Sequence, residues 1–219
     1  MIPRHYHMQP YATLVLSGGY EEAGDHGRFR VGAGDVLFHG PFSAHRDRVA
    51  NRTTVVLDLP MPVDGRRWIG LGTVSDPDMV MRLAERDRGG AARYLLGTVQ
   101  AATAREADLP DLLARALSAD PSLSIAAWAG QHGYARETVS RAFSRTYGID
   151  AAAYRLEARA REGWRRTVAT VTPLAEVAVE TGFADQAHMT RAITRLIGKP
   201  PAWWRRTVTS VQDEAPATP

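Results

Sequence analysis

The chain contains no cysteine, which excludes disulfide frameworks, thiolate zinc sites and a cysteine nucleophile. It also has no apolar run near the roughly 18 residues that span a bilayer. The first ten residues, MIPRHYHMQP, lack the apolar core of a secretory signal. We therefore expect a cytoplasmic protein with no membrane partner.

Lysine is nearly absent, because 26 of the 27 basic residues are arginine and Lys199 is the only lysine. Charge is unevenly distributed. Residues 121–207 hold 13 basic and 7 acidic residues, a net charge of +6, whereas the remainder holds 14 and 17, a net charge of −3. The basic C-terminal half favours a polyanionic partner, although a GC-rich genome would produce the same arginine bias.

The whole chain has 219 residues, which allows one or two domains. Its first third has the pattern of short strands. Apolar β-forming runs at Tyr11–Leu16, Val36–Phe38 and Thr53–Leu59 are separated by glycine-containing turns, and Phe29 alternates with charged neighbours. Short strands at this spacing predict an antiparallel sandwich or barrel. Glu21, Glu22 and Asp25 give the region an acidic hairpin around His26.

After residue 76 the apolar residues follow the spacing of a helix. We predict helices near 77–86 and 91–104, separated by Arg88-Gly89-Gly90, and a further helix opened by Pro110. Apolar residues at helical spacing over 77–104 suggest a surface for dimerisation.

An internal repeat organises the C-terminal half. Residues 140–148 read SRAFSRTYG, and residues 190–198 read TRAITRLIG. Upstream, Ala129 and Gly133 correspond to Ala178 and Gly182 with a one-residue slip. The half therefore contains two copies of one unit.

Each copy has the pattern of a helix-turn-helix. Short helices are predicted near 124–131 and 173–180, followed after a glycine by second helices near 135–146 and 184–196. Gly133 and Gly182 supply turns where a positive φ is needed. A second helix in this arrangement can enter a DNA major groove.

The predicted second helices are amphipathic. We expect their apolar faces to be buried, namely Val139, Ala142, Phe143, Met189, Ala192 and Ile193. The opposite faces carry side chains that read base edges and phosphates, although a polar helix face is more often simply solvated. The predicted DNA-contacting residues are Arg136, Glu137, Ser140, Arg141 and Arg145 in the first copy, and Gln186, His188, Thr190, Arg191 and Arg195 in the second.

Residues 108–207 resemble the DNA-binding domain of AraC/XylS-family transcription regulators. The residues that carry the resemblance in the first copy are Ala129, Gly133-Tyr134, Ser140-Arg141, Phe143, Gly148 and Tyr154. Those in the second are Ala178, Gly182-Phe183, Thr190-Arg191, Gly198, Pro200-Pro201 and Arg205-Arg206. Ile193 and the pairs His188-Met189 and Trp203-Trp204 depart from the usual pattern. The resemblance implies a long helix, about 150–167, joining two helix-turn-helix units that occupy successive major grooves.

Three histidines stand out in the N-terminal region. His5 and His7 lie on one face of a strand because side chains alternate, and His45 follows in a later strand. Two histidines from one strand and one from another suit a metal. They also suit the lining of an effector pocket, or plain packing.

Residues 4–59 resemble the cupin sensor domains found ahead of such DNA-binding domains. His5-Tyr6-His7, Gly34-Asp35-Val36, Pro41 and His45 carry this resemblance. A metal cupin usually has a glutamate four residues after the second histidine, where this chain has Tyr11. The candidate effector or metal residues are therefore His5, His7, Tyr11 and His45, and His39 at a strand end is open to either role.

We predict two domains: an all-β cupin-like barrel for effector sensing at 1–75 and an all-α double helix-turn-helix domain at 108–210. A helical connector and dimerisation segment at 76–107 joins them, and a disordered tail follows at 211–219. The predicted function is that of a sequence-specific transcription regulator rather than an enzyme. Its expected partners are double-stranded operator DNA, a small-molecule effector, RNA polymerase and a second copy of the chain.

No cofactor is expected to be required, although His5, His7 and His45 could hold a divalent metal. Two alternatives stay open. One is a metal-dependent cupin enzyme fused to a DNA-tethering module. The other is a constitutive DNA-binding protein whose cupin serves only dimerisation.

Overall fold

The computed structural model describes residues 1–25, 27–49, 53–62, 70–102, 108–120 and 122–213, with side chains up to residue 207. Their contacts divide the chain into two compact units. The first combines Met1–Arg115 with Tyr134–Asp150, and the second combines Ala116–Gly133 with the chain from Ala151 onward. The boundaries expected at 76, 108 and 211 stay predictions.

Two antiparallel sheets occupy the N-terminal region, which confirms its all-β character. One sheet has the order β1 (Ile2–His7), β6 (Ser43–Val49), β3 (Gly19–Gly24) and β4 (Gly27–Gly32). The other has the order β7 (Val55–Pro60), β2 (Tyr11–Ser17), β5 (Asp35–His39), β8 (Leu71–Thr73) and β9 (Gln100–Ala101). Within the described residues the expected barrel is not closed, and the strands form two separate sheets.

Side-chain alternation builds the core of this region. Phe29 and Val31 of β4 are buried while Arg30 between them is exposed, as the sequence pattern predicts. Leu14 and Phe38, both buried, belong to the main apolar cluster of the first unit.

Two helices, α1 (Pro77–Ala84) and α2 (Arg88–Thr98), close this cluster. Asp76 caps α1 by accepting a hydrogen bond from the backbone nitrogen of Met79 at 2.8 Å. Val80 and Leu95 are fully buried in the main cluster. These two side chains are therefore used inside the unit, and the dimerisation segment expected at 76–107 stays a prediction.

The predicted helix at 91–104 is wrong at both ends. Arg88-Gly89-Gly90 forms the first turn of α2 instead of separating two helices. The carboxylate of Asp87 lies over this turn, and a Cβ added to Gly90 would come 2.5 Å from Oδ2 of Asp87. The helix stops early because Val99 is extended and leads into β9, which pairs with β8.

Helix α3 (Leu109–Ala119) follows, with Pro110 in its first turn as predicted. The remaining helices are α4 (Ile125–Gln131), α5 (Arg136–Tyr147), α6 (Ala151–Ala169), α7 (Leu174–Glu180), α8 (Gln186–Ile197) and α9 (Pro201–Asp213). They confirm the duplicated pairs of short helices and the long helix between them.

No helix in the described part of the chain has the length and apolarity needed to cross a bilayer. Helix α9 extends to Asp213, so residues 211–213 of the predicted tail are helical. Residues 214–219 and His26 lie outside the described residues.

Candidate functional site

Helices α7 and α8 in the second unit form the second predicted helix-turn-helix. Val177 and Ala178 of α7 are fully buried, as expected for a small residue where two helices cross closely. Gly182 in the turn has φ +76°, which L-residues adopt at a cost. Asp185 then caps α8 by accepting from the backbone nitrogen of His188 at 2.6 Å.

Helix α8 buries one face and exposes the other. Met189 and Ile193 are fully buried, and both pack against α6 at Gly163, where an added Cβ would lie 3.3 Å from Ile193 Cδ1. Arg191 and Arg195, on the opposite face, are exposed. The helix therefore presents its arginines to solvent because its apolar residues anchor it to α6.

Helix α5 has the same division in the first unit. Val139 and Phe143 are fully buried, Ala142 is half-buried and Arg141 is exposed. The helix ends at Gly148, whose φ is +71°, and α8 ends in the same way at Gly198. The expected inward faces are thus confirmed in both copies, with Ala142 the least buried.

All ten predicted DNA-contacting side chains are at least partly open to solvent. Those that are exposed are Arg136, Glu137, Arg141, Arg145, Gln186, Arg191 and Arg195. Those that are half-buried are Ser140, His188 and Thr190. Their contact with DNA stays a prediction.

The three histidines predicted as a group do meet on the first sheet. β1 pairs with β6 so that His5 lies opposite His45, and their ring centroids are 4.4 Å apart. The His7 and His45 rings stack with centroids 5.0 Å apart. One potential ligand atom from each histidine lies within 4.8 Å of the other two.

Hydrogen bonds orient two of these rings. Nδ1 of His5 lies 2.9 Å from the carbonyl oxygen of Pro3, and Nδ1 of His45 lies 2.9 Å from Oδ1 of Asp47. Since these oxygens can only accept, each Nδ1 carries its proton and each Nε2 is the nitrogen left to bind a metal. The Tyr11 hydroxyl lies 3.0 Å from Nε2 of His45, which brings the fourth predicted residue to the cluster.

Two residues of this cluster, Glu22 and Asp47, escaped the sequence analysis, and His39, whose role the sequence leaves open, also belongs to it. Oε2 of the buried Glu22 lies 3.2 Å from Nδ1 of His45 and 3.7 Å from Nε2 of His39. Glu22, His39 and His45 form a second group of potential metal ligands. The sequence indicates only an acidic hairpin around Glu22, and its pairing opposite Asp47 reveals the inward position.

Burial and neighbouring charges shift the pKa values of the cluster. Burial and the charge of His45 lower the pKa of His7 to about 4. Burial also raises the pKa of Glu22. In His45 burial opposes the imidazolium, but hydrogen bonds to Asp47 and Glu22 outweigh it and raise the pKa to about 10. A metal at His45 would have to displace this proton.

A cleft opens beside the histidines. Its volume is about 500 Å³, which falls in the range of small-molecule sites. The residues that line it are His7, Met8, Gln9, Pro10, Tyr11, Asp58, Leu59, Pro60 and Arg88. The walls are therefore largely apolar, with a few polar groups among them.

Comparison with protein-family models finds a match in one region of the chain. Residues 128–207 match a protein-family model described as a helix-turn-helix domain. No curated protein matches the chain.

Several solved structures resemble parts of the chain. The DNA-binding domain of AdpA, a global transcriptional factor in complex with a target DNA, is 20% identical with a TM-score of 0.45, covering 50% of this chain and 100% of that one. A probable AraC family transcriptional regulator from Rhodopseudomonas palustris is 18% identical with a TM-score of 0.44, covering 47% and 98%. ToxT from Vibrio cholerae, with a bound unsaturated fatty acid, is 9% identical with a TM-score of 0.47, covering 95% and 91%.

The family match spans both copies of the repeat, and it coincides with the paired helices α7 and α8 and with the exposed arginine face of α5. Residues 128–207 are therefore a helix-turn-helix domain.

Proposed function

We propose that the protein reads one operator with two helices, α5 and α8, and adjusts its DNA affinity when its N-terminal sheets bind a small ligand. The observation that carries the DNA part is the repeated exposed face of the two helices. Arg141 and Arg191 occupy matched positions in the repeat, and both are exposed while the apolar residues around them are buried. Arginine on such a face suits bidentate contact with guanine.

The ten residues of this face divide between two roles. Arg141 and Arg191 would contact base edges near the middle of each helix. Arg145 and Arg195, one turn later, would contact phosphates. Direct base contacts give a specific affinity typically 10³-fold or more above non-specific binding.

Enrichment from a random pool of duplexes tests the DNA part. We expect the full chain to select one sequence with two recognised segments about one helical turn apart. Its affinity for that duplex is then measured by fluorescence anisotropy at fixed salt. Retention of all sequences alike, with a steep salt dependence, would reduce the interaction to backbone contact and overturn sequence-specific regulation.

The ligand part of the proposal rests on the cleft beside His7 and Tyr11. A small molecule with an apolar body would pack against Leu59 and Pro60, while its polar end would face His7. Binding to the native state raises stability by about 2.7 kcal/mol at a ligand concentration 100 times Kd. A screen of small molecules by thermal shift, followed by anisotropy with the selected duplex, tests it.

The proposal also includes a divalent metal, bound by His5, His7 and His45 next to this ligand site. Three imidazoles with an open fourth position form a familiar zinc-type site. Nε2 of His7 is buried and has no hydrogen-bond partner within the described residues, and a metal would satisfy it. Asp47 would hold Nδ1 of His45 while Nε2 binds the metal. Titration with Zn²⁺, with His45→Ala as the comparison, checks the assignment.

The proposal also includes a homodimer, contact with RNA polymerase and a cytoplasmic location, because an operator-bound regulator acts where transcription occurs. Light scattering at tens of micromolar tests the dimer. The proposal includes no catalysis. A metal-dependent cupin enzyme tethered to DNA would instead turn over a substrate in the metal-loaded state, and its DNA affinity would be indifferent to ligand.

A further inference from the structure

The strands that carry the histidines have a second face. Side chains alternate along β1 and β6, so Arg4 lies on the opposite face from His5, and Arg46 lies on the opposite face from His45. Arg4 is buried in an ion pair with Asp25 at 2.9 Å. The two strands therefore place a histidine on one face and an arginine on the other at adjacent positions.

Arg46 reaches the end of helix α5. Its Nη1 donates to the backbone carbonyl oxygen of Arg145. Its side chain also lies against Gly148, where an added Cβ would come 3.1 Å from Cδ of Arg46 and 3.6 Å from Cβ of Arg4. A cation at this place is favourable because the last carbonyls of a helix carry partial negative charge.

A second attachment holds the same end of α5. The hydroxyl of Tyr147 donates to Oδ1 of Asp111 at 2.9 Å. Oδ2 of Asp111 accepts from Nη2 of Arg28 on β4 at 3.0 Å. Tyr147 is fully buried, so the attachment to Asp111 acts as a fixed pivot, whereas the contact with Arg46 can follow the movement of β6.

We propose that Arg46 transmits occupancy of the histidine cluster to helix α5 and so sets the DNA affinity. The inference rests on the proposed function, because it requires a ligand at the cluster and DNA at α5. A ligand that draws His5 and His45 together moves the backbones of β1 and β6, and Arg46 shares that movement since it follows His45 in the chain. The carbonyl of Arg145 then moves with it.

The consequence for DNA follows from the rigidity of a helix. Arg141 lies one turn before Arg145 on the same exposed face of α5. A small displacement of the anchored end therefore re-aims both side chains. Base contacts tolerate little misplacement, so the protein with a ligand at the histidine cluster and the protein without one differ in DNA affinity. Coupling between two sites requires such a difference.

Zn²⁺ is the probe, and the full chain with its selected duplex is the system. The variants are Arg46→Gln and, as the matched control, Arg48→Gln, which removes the same charge from an exposed position two residues along β6. For each protein we would measure the Zn²⁺ dissociation constant by calorimetry, the melting temperature, and the duplex dissociation constant with and without Zn²⁺.

In wild type and Arg48→Gln we expect Zn²⁺ to change the duplex dissociation constant by about 5-fold or more, the lower end of typical allosteric couplings. In Arg46→Gln we expect less than about a 2-fold change, with Zn²⁺ affinity unaltered. A role that is only structural would lower the melting temperature and leave the Zn²⁺ response intact.

Two failures are distinguishable. Loss of the response in Arg48→Gln as well, or its retention in Arg46→Gln, overturns the transmission through Arg46 and leaves ligand sensing in place. A wild type that binds Zn²⁺ with no change in duplex affinity, or that does not bind Zn²⁺, overturns metal sensing at the cluster and this coupling with it.

Discussion

Truncation of Arg191 to alanine is the sharpest test of how helix α8 faces DNA. Successive residues of an α-helix are rotated by about 100°, so Arg191 is about 200° from both Met189 and Ile193, which are fully buried against α6. The guanidinium therefore points away from the core. Alanine is the best helix former, and removal of this exposed side chain leaves the packing of α8 unchanged.

The magnitude follows from the type of contact. A bidentate pair with a base is worth about 1–3 kcal/mol of discrimination, and each 1.4 kcal/mol corresponds to a factor of ten. Arg191→Ala should therefore weaken binding to the selected duplex about 5- to 150-fold and relax the preference at one base pair. A side chain that contacts only phosphate would weaken all duplexes alike and lower the slope of log K against log salt by about 0.9.

The assay is fluorescence anisotropy with the selected duplex, a set of single-base variants and a scrambled duplex at three salt concentrations. Arg141→Ala is the equivalent change in α5, and Arg93→Ala, which removes an exposed arginine from α2, controls for net charge. If neither Arg141→Ala nor Arg191→Ala alters specific binding more than Arg93→Ala does, the assignment of the DNA-facing sides of both helices is refuted.

Other predictions concern the stability of the helices. Phe143→Ala removes a fully buried ring and should cost about 3–5 kcal/mol in the free energy of unfolding, measured by chemical denaturation. Tyr147→Phe removes the hydrogen bond to Asp111 and should cost about 1.5–3 kcal/mol; an unchanged transition would contradict this pivot. Gly133→Ala and Gly182→Ala should each cost about 1–2 kcal/mol because both glycines have positive φ. The cost should be larger at Gly182, where the guanidinium of Arg159 lies 3.3 Å from an added Cβ, than at Gly133, where no atom lies within 4 Å. Equal costs would show that contact with Arg159 does not contribute.

The helical half could be predicted from the sequence because its signals are local. Spacing of apolar residues, glycines at the turns and a repeat of nine residues fix where helices start, stop and bury a face. Met189 and Ile193 could be placed inside and Arg191 outside without any long-range information. The short strands were predictable for the same reason, since alternation of buried and exposed residues needs only the chain itself.

The ends of α2 show where local signals fail. Arg88-Gly89-Gly90 has the composition of a break, yet the first turn of a helix tolerates glycine, and the Asp87 carboxylate occupies the space that a side chain on Gly90 would need. At the other end, pairing of β9 with β8 stops the helix. That pairing joins residues far apart in the sequence, so no window of the sequence contains it.

The histidine cluster was determined partly by sequence and partly by tertiary structure. His5 and His7 share a face because alternation along one strand requires it. Glu22 and His39 join His45 only because β3 pairs with β6 and the second sheet brings β5 near them. Strand register and the packing of one sheet on another depend on contacts between distant segments, and these contacts alone decided which acidic residue became buried beside an imidazole.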